Sequence, residues 1–138
     1  MLAPSIVAFL QKHHLLSLCT CNDAMPYAAS CFYAFDAKNA TFILATDSQT
    51  RHGSEALDNI HVAGTVALET KIVGKIQGVQ FTGSFRKATQ EESTLYFKRF
   101  PYALAMSPTL WGVEIDYLKF TDNTLGFGKK LEFRRIES

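Results

Sequence analysis

The segment 46–53 brings hydroxyl side chains and a basic pair together directly after an apolar run. Its polar side chains include Thr46, Ser48, Thr50, Arg51 and His52. A helix start exposes unpaired backbone N–H groups, and neighbouring hydroxyls and a guanidinium supply further donors to an anion. The residue types and their spacing therefore predict a phosphate site where a strand meets a helix.

An exposed helix start with capping hydroxyls is the alternative interpretation of the same segment. Ser and Thr are preferred caps because their side-chain oxygens accept hydrogen bonds from the first free N–H groups of a helix. The imidazole of His52 adds a donor whose charge depends on pH. The pattern alone leaves both interpretations open.

Elsewhere the reactive residue types lack the spacing that metal binding or catalysis needs. Cys19 and Cys21 are separated by one residue, whereas the usual zinc knuckle separates its cysteines by about two to four residues and uses a second pair. We therefore predict reduced, buried thiols and no metal site. The sequence has no Gly-x-Ser-x-Gly, Walker or His-Glu-x-x-His motif, so we assign no catalytic residue.

The composition limits the class of protein. At 138 residues, with 47% apolar residues and 11 Phe, the chain fits one domain, 1–138, with a substantial core. The net charge of +1 argues against a nucleic-acid partner. No apolar run approaches the ~18 residues of a membrane span, and the N-terminus lacks a signal-peptide pattern. The three cysteines are an odd and sparse set, which does not suggest a disulfide framework. Together with the preceding features, this favours a soluble protein of the reducing cytoplasm.

Residue periodicity predicts a mainly β chain with peripheral helices. Strands are expected at 15–21, 27–35, 41–46, 61–68, 76–88, 111–121 and 129–136. Helices are expected after Pro4, over 50–57, and from a capping box at Thr89 and Glu92 to about Phe100. Gly83 is expected to mark a bulge or a close backbone approach in the fifth strand. The short connections favour a small closed or half-closed antiparallel barrel.

Two stretches resemble the split-barrel flavin-binding superfamily typified by pyridoxamine 5′-phosphate oxidase. They are Gly-Val-Gln-Phe-Thr-Gly at 78–83 and Lys-Phe-Thr-Asp-Asn-Thr-Leu-Gly-Phe-Gly-Lys-Lys at 119–130. The resemblance is closest to small uncharacterised bacterial members and covers almost the whole chain. It implies a six- to seven-stranded antiparallel split β-barrel of the FMN-binding type. It also implies a homodimer with the flavin at the subunit interface.

The resemblance gives the anion of the 46–53 segment a chemical identity. In the oxidase, a Ser-Arg-Lys triplet after the third strand holds the FMN phosphate, and Thr50, Arg51 and His52 stand in that place. Thr46 and Ser48 precede them as further hydroxyl donors. The implied phosphate ligands are therefore these five side chains, with His52 in the position of the oxidase Lys.

The flavin ring has its implied contacts on the fifth strand. A Gln of the oxidase contacts the ring, and Gln80 is the nearest counterpart, whereas strict spacing from Gly83 would place Gly78 there. We expect Gln80 to lie on an inward polar face of the barrel. Lys129 is expected to reach the flavin from the end of the barrel.

The sequence differs from the oxidase in the region that binds the oxidase substrate, and this difference limits the predicted function. The oxidase ends in an Arg-x-His-type stretch that grips pyridoxamine phosphate, whereas this chain has Leu-Gly-Phe-Gly at 125–128. Phe127 cannot bind a second phosphate, so we do not expect pyridoxamine 5′-phosphate oxidase activity. We expect an FMN-binding protein, and leave open whether it is an oxidoreductase acting on a small substrate. The alternatives are a non-catalytic flavin-storage or flavin-sensing module, and a split barrel that has lost FMN and acts structurally or binds another ligand.

Overall fold

Alternating apolar residues build the chain into one antiparallel sheet in a computed structural model that describes residues 2–125 and 130–136. The strands are β1 (Leu15–Asn22), β2 (Met25–Asp36), β3 (Thr41–Ala45), β4 (His61–Ala67), β5 (Gln77–Lys87), β6 (Leu110–Asp122) and β7 (Lys130–Arg134). The α-helices are α1 (Pro4–Lys12), α2 (Arg51–Asp58) and α3 (Gln90–Arg99). Short 3-10 helices occupy Val73–Lys75, Pro101–Met106 and Asn123–Leu125. Among the described residues, no helix is both long and apolar enough to cross a membrane.

The sheet closes into a barrel through β6. Neighbouring strands follow the order β3-β2-β1-β4-β5-β6-β7, and β3 also pairs with β6. The first half of β6 pairs with β3 and its second half with β7, so β7 extends the sheet beyond the closed barrel. This architecture confirms the predicted mainly β split barrel with peripheral helices.

Aromatic side chains fill the interior of the barrel. The ring of Phe42 lies 4.7 Å from that of Phe81 and 5.0 Å from that of Tyr33, measured between centroids. The hydroxyl of Tyr33 donates to the carbonyl of Leu10 in α1 at 2.8 Å. Because α1 also buries Ile6 against this core, the first helix is held to the barrel by both apolar and polar contacts.

The register between β5 and β6 shifts at Gly83, which confirms a close backbone approach there, but the extra residue of the bulge lies on β6 and not on β5. Thr82 faces Tyr117 while Gly83 faces Ile115, so Asp116 is an extra residue on β6. A Cβ on Gly83 would collide with a backbone carbonyl oxygen of β6, which explains the glycine. Because of the extra residue, Ile115 and Leu118 of β6 are both buried inside the barrel although they are three positions apart.

The polar face of β5 points outward, so the expectation of an inward Gln80 is wrong. Val79 and Phe81 are buried, whereas Gln80 between them is exposed. Apolar residues take the interior because burying them removes apolar surface from water, and strict alternation then sends Gln80 outward.

Candidate functional site

Thr46, the first residue of the candidate anion site, is held in place by hydrogen bonds of its backbone. Its N–H donates to the carbonyl of Thr109 at 3.3 Å, and its own carbonyl accepts from Trp111 Nε1 at 2.9 Å. The Trp111 ring stacks on Phe85 at 5.0 Å between centroids. Thr46 is itself buried, so the end of β3 is anchored to the start of β6.

A tight turn leads from Thr46 into α2. The carbonyl of Asp47 accepts hydrogen bonds from the N–H of Thr50 at 3.0 Å and from its hydroxyl at 2.6 Å. Thr50 Oγ1 in turn accepts from the N–H of Gly53 at 3.2 Å, which makes Thr50 the cap of α2. The capping interpretation therefore applies to Thr50, whose hydroxyl is already engaged as donor and acceptor.

Gly53 is required by the close approach of this turn to α2. A Cβ at this position would collide with the carbonyl oxygen of Asp47 and crowd Thr50 Oγ1. The glycine therefore lets the turn fold back onto the first turn of the helix.

Arg51 presents most of its guanidinium to solvent. Its Nε donates to Glu55 Oε2 at 2.7 Å, and the guanidinium carbon lies 4.1 Å from the centroid of the Tyr27 ring. Glu55 also accepts from the hydroxyl of Thr20 at 3.3 Å, so β1 fixes the carboxylate that orients the arginine. The terminal nitrogens of Arg51 form no hydrogen bond with any described residue. They remain two forked donors for an external anion.

His52 points into the protein. Its Nε2 lies 2.5 Å from Thr46 Oγ1 and 4.0 Å from Cys31 Sγ on β2. Burial lowers the pKa of His52 and raises the pKa of the Cys31 thiol to about 11. At neutral pH the contact therefore joins an uncharged imidazole to an uncharged thiol.

Three kinds of donor remain unpaired at the turn within the described part of the chain. Ser48 is half-buried, and its hydroxyl makes no hydrogen bond with a described residue. The N–H groups of Arg51 and His52 lie in the first turn of α2, which has no helical acceptor for them. Together with the Arg51 terminal nitrogens, they form the donor cluster of the turn.

Gln80 lies away from this donor cluster. It faces Thr65 on one side and Lys119 on the other, on the outer surface of the sheet, and lines a cavity of about 390 Å³ together with Gly78. Among the described residues, no hydrogen bond or ring contact joins Gln80 to the turn. The predicted site residues thus fall in two places on one chain. Lys129 lies outside the described residues.

The outer face around Gln80 is built from small, mostly uncharged side chains. Register places Ala28, Cys19, Ala63 and Thr82 side by side across β2, β1, β4 and β5. The adjacent row is Ser30, Ser17, Thr65 and Gln80. We refer to these eight residues as the flat face.

A second basic group, on β5, is a weaker candidate for anion binding. A cavity of about 550 Å³ lies beside Arg86. The Arg86 guanidinium donates twice to Glu92 at 2.8 Å and once to Glu114 at 3.0 Å. Because these carboxylates neutralise the arginine and occupy its donors, the group serves to join α3 to the barrel.

Sequence reasoning missed three residues that shape the donor cluster: Tyr27, Cys31 and Glu55. Glu55 follows Arg51 by four residues on a helix, and that spacing alone could have predicted their pairing. Tyr27 and Cys31 come from β2, a different element that lies more than fifteen residues before the turn, and no local pattern connects them to it.

Comparison of the chain with protein-family models gave no match. A UPF0306 protein of Cronobacter sakazakii is 43% identical over 137 residues, covering 96% of this chain and 95% of the relative. The UPF0306 protein YhbP of Salmonella arizonae is 40% identical over 138 residues, covering 97% and 94%. Both relatives span nearly the full length of this chain.

Solved structures with the same fold have names that describe different functions. A FAD-binding protein of Mesorhizobium loti aligns with a TM-score of 0.70 at 13% identity, covering 86% of this chain and 92% of that one. A heme storage protein of Vibrio cholerae aligns at 0.68 and 13%, covering 96% and 94%. A Listeria innocua protein provisionally assigned as a pyridoxamine 5′-phosphate oxidase aligns at 0.65 and 14%, covering 84% and 94%. At these identities the comparison supports the split-barrel fold.

Proposed function

The chain belongs to the UPF0306 family, and we propose that it is an FMN-binding protein whose single domain, 1–138, works as a homodimer. The observation that carries the proposal is the donor cluster at the turn between β3 and α2. There, Ser48, the exposed fork of Arg51 and two free N–H groups lie within four residues of one another. The FAD-binding neighbour adds support, because its name assigns a flavin to a protein of the same fold.

The FMN phosphate matches the chemistry of the donor cluster. A dianionic phosphate accepts from a guanidinium fork, from a hydroxyl and from helix N–H groups at the same time. Arg51 and Ser48 would donate directly. Thr46 and Thr50 would hold the turn in place, since their hydroxyls already bond within the protein.

A second copy of the chain would bring the two parts of the site together. Gln80 lies on the outer surface of the barrel, apart from Arg51. The flat face is suited to pack against another copy, because small side chains allow two sheets to approach closely. In such a homodimer, Gln80 would contact the flavin ring from the flat face. Lys129 remains a proposed contribution from the end of the barrel.

FMN, when bound, would supply the redox chemistry, while the protein supplies binding, orientation and electrostatics. The proposal names no substrate and no catalytic acid or base. It does not extend to pyridoxamine 5′-phosphate oxidation, because the stretch 125–128 lacks the basic residues of the oxidase.

The visible absorption spectrum of freshly purified protein, followed by FMN titration, tests the proposal. We expect a flavin spectrum, or a saturable shift of added FMN with one flavin per chain. A colourless protein that leaves the FMN spectrum unchanged would refute it. Bleaching by NAD(P)H with turnover would indicate an oxidoreductase, whereas a bound flavin without turnover would indicate storage or sensing.

Heme binding is the second candidate, and a neighbour of the same fold favours it. The heme storage protein of Vibrio cholerae matches over 96% of this chain. Titration with hemin in place of FMN distinguishes the two candidates. A Soret shift without any flavin response would favour the tetrapyrrole.

A further inference from the structure

The side chain of His52 joins three elements of the fold at one point. It projects from the first turn of α2, and its Nε2 reaches Thr46 after β3 and Cys31 on β2. Thr46 is in turn held by Trp111 of β6. A side chain so placed fixes the position of α2 relative to the barrel.

The Nε2 atom of the His52 imidazole is hydrogen-bonded within the protein, to Thr46. Thr50 Oγ1 donates to the Asp47 carbonyl, so it has no proton left for Thr46 Oγ1 at 3.5 Å. The single proton of the Thr46 hydroxyl therefore goes either to His52 Nε2 or to Thr50 Oγ1, and in the second case Thr46 accepts from the protonated Nε2 of the other tautomer. In either case Nε2 is engaged by Thr46 and is not free for an external phosphate.

The groups that surround His52 also leave its imidazole without a charged partner. Cys31 faces it from β2, and Tyr96 of α3 faces Cys31. On its own turn and helix, Asp47 accepts from the Gln49 N–H, and Arg51 is paired with Glu55; these contacts are at 2.8 and 2.7 Å. No hydrogen bond joins the imidazole to a charged group of the described residues.

Nucleophilic chemistry by the Cys31–His52 pair does not fit this geometry. The two atoms are 4.0 Å apart, and Cys31 is buried, so the thiol stays protonated at neutral pH. The contact is a packing contact between uncharged groups.

We propose that His52 is a positioning residue of the anion site: its imidazole ties Thr46 to α2 and thereby holds the turn 47–50 so that Ser48 and Arg51 face the ligand. This inference rests on the proposed FMN binding and assigns His52 a role different from that of the oxidase Lys. The positive charge that meets the phosphate then comes from Arg51.

The phosphate preference, defined as the riboflavin Kd divided by the FMN Kd, tests the proposal in the full-length protein. His52→Gln retains a group that can bond Thr46, so we expect it to keep the preference within about twofold. His52→Leu and Thr46→Val each remove the bond, and we expect each to lower the preference roughly fivefold. The double variant should be no worse than either single one, because both remove the same interaction.

The pH dependence separates positioning from direct binding. Between about pH 6 and pH 8, the ratio of the FMN Kd of the wild type to that of His52→Gln should stay constant, since the titration of the phosphate itself is common to both. A direct cationic ligand would instead make the wild type lose affinity relative to His52→Gln as the imidazole deprotonates. That result, or additive losses in the double variant, would overturn the proposal.

Nuclear magnetic resonance of the flavin-free protein tests the contact even if FMN does not bind. The imidazole nitrogens of His52 should report a neutral ring at pH 7, and Thr46→Val should shift them. A ring that titrates like free histidine and ignores Thr46→Val would contradict the positioning role. Absence of FMN binding by the wild type would refute the proposed function, and the NMR result would still decide the role of His52. Thermal melts establish that each variant is folded.

Discussion

The guanidinium of Arg51 lies over the ring of Tyr27, 4.1 Å from the ring centroid. The two residues come from α2 and β2 and are separated by more than twenty positions. Glu55 holds the Nε of the same guanidinium, so the aromatic ring and the carboxylate together fix its orientation. The terminal nitrogens are thereby held without a bond to any described residue, and a preset orientation of this kind would lower the entropic cost of binding the proposed phosphate.

Removing the Tyr27 ring should weaken FMN binding without touching the donors themselves. A cation–π contact at an exposed site is worth about 0.5–1 kcal/mol. We therefore expect Tyr27→Leu to raise the FMN Kd by roughly two- to fivefold, measured by flavin fluorescence titration. Tyr27→Phe keeps the ring and is the matched control. Equal losses in both variants would show that the hydroxyl, and not the ring, matters.

The carboxylate of Glu92 should make folding stability depend on acid pH. Hydrogen bonds from Arg86 lower the pKa of Glu92 below its ordinary value of 4.5. A carboxylate with a depressed pKa in the folded state adds stability that is present above 4.5 and is lost as the pH falls through the folded-state value. Glu92→Gln should remove that part of the acid transition.

The same substitution should lower stability at neutral pH by about 1.5–3 kcal/mol. The loss is smaller than for a fully buried pair, because the Arg86 side chain is 33% exposed. Glu91→Gln, on the exposed side of the same helix turn, is the control in urea unfolding at pH 7 and pH 4. An acid transition that is identical in Glu92→Gln and the wild type would contradict the account of this pair.

A large charge on the flat face should disrupt the proposed homodimer. Ala63 lies between Cys19 and Thr82 in the middle of that face. Ala63→Arg should convert the dimer to a monomer in size-exclusion chromatography with light scattering, because the new charge would lose its hydration at the interface. Thr94→Arg adds the same charge on the exposed surface of α3 and should leave the dimer intact. A wild-type protein that is monomeric at all concentrations would exclude this interface.

Local patterns predicted much of the fold because their causes are local. The capping box joins Thr89 and Glu92 within one helix turn, and alternation of apolar residues placed Val79 and Phe81 inside the barrel. The outward direction of Gln80 follows from the same alternation, although a resemblance to the flavin enzymes favoured an inward position.

The parts that sequence could not predict depend on contacts between distant segments. Asp116 is an extra residue of β6, opposite Gly83 of β5. It shifts the inward and outward alternation of the β6 side chains, and this shift is defined only once β5 and β6 are paired. Likewise, the hydroxyls of Thr46 and Thr50 look equivalent to that of Ser48 in the sequence. They differ in the fold, since the first two bond within the protein.

The central claim, that Arg51 holds the phosphate of a bound FMN, is tested most directly by comparing FMN and riboflavin affinities in the wild type and Arg51→Ala. We expect the wild type to prefer FMN, and Arg51→Ala to weaken FMN binding by about 1.5–3 kcal/mol while riboflavin binding is unchanged. Lys98→Ala, which removes an exposed charge from α3, should leave both affinities as in the wild type. An FMN affinity that is the same in Arg51→Ala and the wild type would contradict the assigned phosphate site.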